Sequence, residues 1–67
     1  MEYKDILKAL RDKMIITQEE LASLLGVSAI SVNRWENGHH IPTTKVKRKI
    51  MELLKENKLE VLQHEKK

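Results

Sequence analysis

The chain has 67 residues, a formal net charge of +3 and no cysteine. That length holds one small domain, and the composition excludes disulfides and thiolate metal sites. No apolar run approaches the ~20 residues of a membrane span, and the charged start Met1-Glu2-Tyr3-Lys4-Asp5 lacks a signal peptide's apolar segment, so a cytoplasmic protein without a separate effector domain is expected.

In chain order, residues 2–13 read as a first helix, with Tyr3, Ile6, Leu7, Leu10 and Met14 on one stripe. Met14-Ile15-Ile16 links it to Thr17, and Ile16 suits a hydrophobic staple. Thr17 and Glu20 form a capping box. The apolar run Leu21, Ala22, Leu25 then marks a second helix over 18–25, ended by Gly26. Ser28 is the N-cap of a third helix over 29–37, which stops at Gly38. Pro42 keeps Ile41 extended, so no helix crosses this loop. Thr43 is the expected N-cap of a fourth helix, striped by Val46, Ile50, Leu53 and Leu54 and ending near Asn57. Residues 1–58 are taken as the domain and 59–67 as a short terminal turn or disordered tail. Leu59 and Leu62, three apart, permit one more helical turn. No alternating β pattern is present. The predicted fold is all-α, a compact bundle of four to five helices around a central helix-turn-helix.

The centre of the chain has a specific spacing. Ala22 is a small residue where the third helix must pack closely, Gly26 makes the turn, and Val32 fills the gap between the two helices. Together with Thr17-Gln18-Glu19-Glu20-Leu21-Ala22, Leu25-Gly26-Val27-Ser28 and Trp35-Glu36-Asn37-Gly38, this resembles the helix-turn-helix family of the lambda repressor and Cro proteins. Arg11 and Pro42 also fall at family positions, and the resemblance runs over roughly residues 5–56. It implies sequence-specific binding of double-stranded DNA, most often by a homodimer on a pseudo-palindromic operator. It further implies that Gln18 touches a phosphate while bracing the reading helix. Arg11 and Glu36 match the family's ion pair between the first helix and the end of the third. The family often has glycine at position 15, and Ile15 there implies a different or mildly strained turn.

Helix geometry separates the faces of the third helix. At about 100° per residue, Val32 and Trp35 point the same way to within ~60° and must face the core. Ile30, Asn33, Arg34 and Asn37 then point outward, with Ala29 at the N-terminal edge. Ala29, Ile30, Asn33 and Arg34 are the candidate base readers, with Ile30 suited to thymine methyls, although a stray exposed isoleucine is common. Gln18, Asn37, His39, His40, Lys45 and Lys49 are candidate phosphate contacts. Between 45 and 58, six basic residues face two acidic ones. Positive charge at the start of the fourth helix opposes its dipole, which suggests an anionic partner; a solvated lysine-rich face accounts for it equally well. His39, His40 and His64 make a poor chelate, so no metal is expected. No nucleophile–base set is visible, so neither enzyme activity nor a cofactor is expected, and no small-molecule effector either. The expected function is a Cro/repressor-type transcriptional regulator at the nucleoid. An antitoxin or protein-interaction adaptor on the same fold is the alternative.

Overall fold

A computed structural model describes residues 2–59. They form four helices, α1 (Tyr3–Met14), α2 (Gln18–Leu25), α3 (Ala29–Glu36) and α4 (Thr44–Glu56). No strand occurs among the described residues. The all-α expectation is met with four helices. Leu59 is not helical, and the rest of the further turn it could have started lies outside the described residues. Residues 60–67, including Leu62 and His64, lie outside the described residues, as does most of the expected tail segment.

The core follows the stripes. Ile6, Leu7 and Leu10 of α1, Leu21 of α2, Val32 of α3 and Ile50 of α4 are fully buried. Tyr3, Met14 and Leu53 are partly buried against them. The helix α3 packs on both α1 and α2, and α4 packs on α1 and α2. Lys47 Nζ sits 5.4 Å above the Tyr3 ring, a cation–π contact joining α4 to α1. Pro42 is buried in the loop before α4.

The starts of the helices differ. The Thr17 hydroxyl accepts from the Glu20 N–H at 3.1 Å, and the Glu20 carboxylate accepts from the Thr17 N–H at 2.8 Å, completing the capping box. Ser28 accepts from the Ser31 N–H at 3.2 Å. Thr43 has the extended backbone of an N-cap, but its side chain makes no capping bond. Four positive charges in and after that first turn are therefore not offset by a side-chain cap.

The ends are alike. Each helix is followed by one residue at positive φ: Ile15 (58°), Gly26 (73°), Gly38 (79°) and Lys58 (56°). The N–H after it reaches back five residues, Ile16 to Arg11, Val27 to Ala22, His39 to Arg34 and Leu59 to Leu54. This is the Schellman closure, which satisfies otherwise orphaned carbonyls. Its usual apolar follower is present in Ile16, Val27 and Leu59, all packed against the core. After α3 the follower is His39, which is exposed. A β-carbon at Gly26 would meet nothing within 4 Å, and at Gly38 only the Lys4 Cδ at 3.6 Å. Backbone conformation, not space, calls for glycine at both positions.

Candidate nucleic-acid interface

The helix α3 is eight residues long, anchored on its inner side by Val32 and Trp35. Its last residue, Glu36, is the one buried charged residue among the described residues, 3 % exposed. Arg11 grips that carboxylate with both arms, Nε to Oε2 at 2.7 Å and Nη2 to Oε1 at 2.8 Å. The third donor is Gln18 Nε2, 3.1 Å from Oε1. Burial pushes the Glu36 carboxyl up, but the hydrogen bonds from Arg11 and Gln18 and the nearby positive charges outweigh it, so it lies below its ordinary value. The hydrogen bonds that Arg11 donates to Glu36 raise its guanidinium in turn. This one carboxylate therefore ties α1, the start of α2 and the end of α3 together.

On the outer side Ile30 is 67 % exposed, and Asn33, Arg34 and Asn37 are exposed beside it. The expected outward face is present in that arrangement, with two departures. Ala29 is partly buried against the core, so it stands at the base of the face and not on its open surface. Asn33 is not an isolated side chain: its Nδ2 donates to Gln18 Oε1 at 3.3 Å and its Oδ1 accepts from Asn37 Nδ2 at 3.1 Å. Arg34 has no ion-pair partner among the described residues. The first N–H groups of α2, next to Gln18, point where an anion is welcome.

The remaining candidates divide into two other places. His39 and His40 are exposed just beyond Gly38, and His40 lines a hollow with Tyr3, Lys4, Trp35 and Ile41. Lys45 and Lys49 border a groove of about 500 Å³ with Leu24, Gly26, Val27 and Val46. None of the residues lining that groove belongs to the Gln18–Asn33–Asn37 cluster. Among the described residues there is no group of histidines and acids arranged to hold a metal ion, and no helix long and apolar enough to cross a membrane.

Sequence reading missed the run of hydrogen bonds from Asn37 to Glu36. Its bonded partners are separated by up to 18 residues and join α2 to α3, so no local periodicity could reveal it. The signals present were the family resemblance, which has Gln18 brace the reading helix, and the three carboxamides Gln18, Asn33 and Asn37 on surfaces assigned to DNA.

Two short helices at a tight glycine turn, the second presenting a polar face, define a helix-turn-helix DNA-binding fold. A family model described as helix-turn-helix matches residues 7–61. The chain belongs to that family, of the lambda repressor type, and so to the DNA-binding transcriptional regulators in general. Comparison with curated proteins and with solved structures gave no match.

Proposed function

We propose that this protein is a sequence-specific, Cro/repressor-type regulator that sets α3 in the major groove of an operator. The single observation that carries this is the division of α3 into two sides. Val32 and Trp35 are buried, while Ile30, Asn33 and Arg34 are exposed on the opposite side of the same helix. In this reading Arg34 pairs with guanine, Asn33 with adenine and Ile30 with a thymine methyl. Ala29 bounds the face at its N-terminal edge. Gln18, Asn37, His39 and His40 hold phosphates and fix the register, since phosphate contacts position and base contacts specify. Lys45 and Lys49 add charge along the backbone. Two copies bind a pseudo-palindrome with half-sites about one helical turn apart, and the site of action is the nucleoid.

Selection of duplexes from a random pool tests this. A short enriched motif with two-fold symmetry is expected; a pool that enriches no motif would reject the proposal.

One observation favours a second reading, a protein-interaction adaptor or antitoxin. The groove of Leu24, Val27 and Val46 between two lysines suits an acidic, apolar segment of a partner better than a phosphate. Under that reading a Lys45→Gln/Lys49→Gln double variant keeps its duplex affinity and salt dependence. Under the first reading its affinity for every duplex falls and the salt slope flattens by about two contacts.

A further inference from the structure

The hydrogen bonds from Asn37 to Glu36 all run in one direction. An ionised carboxylate only accepts, whereas a carboxamide has a donor end and an acceptor end. Gln18 lies 3.1 Å from Glu36 Oε1 and must turn its Nε2 toward it. Its Oε1 then faces Asn33, which must answer with Nδ2, at 3.3 Å. The Asn33 Oδ1 is left facing Asn37, whose Nδ2 donates at 3.1 Å. One acceptor-only group thus dictates how three amides face. Arg11 holds that group in place with two short bonds, and burial keeps water from competing for it.

The direction has a consequence for recognition. Each amide nitrogen spends one hydrogen in the relay and keeps one, and Asn33 Oδ1 keeps one lone pair. That remainder is what a bidentate contact to adenine uses, N–H to N7 and oxygen to the N6 amino group. An amide turned end for end offers its oxygen to N7 and its N–H to N6, and both contacts become repulsive.

We propose that Glu36 is a positioning residue for base readout: by setting the direction of the Gln18–Asn33–Asn37 relay, it determines which end of the Asn33 amide meets which atom of the base edge. Glu36 does so from the interior, without touching DNA. The inference rests on the reading that α3 enters the major groove.

Two variants test it. Glu36→Gln puts a group that both donates and accepts at the head of the relay, so the amides can run either way. Arg11→Met/Glu36→Leu removes the ion pair as a unit, which avoids stranding a lone guanidinium and keeps a folded protein for the assay. Thermal melting establishes folding. Affinities are then measured on the selected operator, on its single-base variants and on random duplex. The Asn33 position is identified as the base pair whose preference disappears in Asn33→Ala. Wild type is expected to discriminate there by about tenfold. In both folded variants that ratio should fall to within about twofold, while the preference read by Arg34 persists. An unchanged ratio at the Asn33 position in either folded variant overturns the inference and leaves DNA reading intact. A uniform fall at every position assigns Glu36 a structural role only and also overturns it. Wild-type protein with no base preference removes the proposed function and the inference together.

Discussion

Arg34 and Lys49 should fail in different ways. Arg34 stands on the outer side of α3 with no ion-pair partner among the described residues, so its charge is available to a base. Arg34→Ala is expected to cost about 1–3 kcal/mol on the operator and to relax preference at one position. Lys49→Ala should weaken all duplexes nearly equally and reduce the salt slope by about one contact. Filter binding at several salt concentrations separates the two, and unchanged base preference in Arg34→Ala would remove that residue from the reading face. Glu36 gives a prediction in free protein. Its folded carboxyl lies below the ordinary 4.5. The ionised form therefore contributes stability above that value, and the contribution is lost as pH falls through the folded value. The melting temperature should drop on acidification below about pH 4.5, and more weakly in Arg11→Met/Glu36→Leu. Equal acid sensitivity in the two proteins would show that Glu36 does not govern it. Arg11→Ala leaves the buried carboxylate without a countercharge, with only Gln18 donating to it, and should cost about 3–5 kcal/mol, enough to unfold much of so small a domain.

The helices themselves were readable from the chain because their signals are local. Thr17 with Glu20, Ser28, Gly26 and Gly38 sit at caps, and the stripe of α4 buries Val46, Ile50 and Leu54 as its spacing requires. Two helix ends were not fully readable. Ile15 and Lys58 take the left-handed conformation without being glycine, so residue type gives no warning; at Ile15 only the family resemblance suggested something unusual. A β-branched residue there is strained, and tertiary packing of the next residue, Ile16, holds it. The Ile15 side chain is 88 % exposed and loses little burial when removed. Ile15→Gly should therefore raise stability by about 1 kcal/mol, or roughly 4–8 °C in melting temperature for a domain of this size. Lys58→Gly should gain less, because an unbranched side chain is less crowded at positive φ. A melting temperature lowered by Ile15→Gly would mean that the strain is absent or that the isoleucine makes a contact of its own.

For the whole molecule, the distribution of exposed apolar residues bears on assembly. Ile15, Leu24, Ile30 and Ile41 are the large exposed hydrophobics among the described residues, and each belongs to a different helix, link or loop. Lying on four different elements, they make no apolar stripe along one helix of the kind that forms a coiled-coil seam. The free protein should sediment as a monomer or weak dimer at micromolar concentration and pair on a two-fold operator. A tight, salt-resistant dimer in the absence of DNA would contradict this. Ile30 adds a calorimetric signature. If it is buried against thymine methyls, Ile30→Ser should make the heat-capacity change of operator binding less negative.

The buried carboxylate that accepts from both Arg11 and Gln18 also bears on how binding specificity can change. Ile30 and Arg34 stand apart from that network and are open to substitution without disturbing the core. Gln18, Asn33 and Asn37 are not, because altering one changes what its neighbours must donate or accept. Retargeting the protein to a new operator is thus most accessible through positions 30 and 34. Changes in the amide row need compensating partners, so new specificities there should emerge in coordinated sets of replacements.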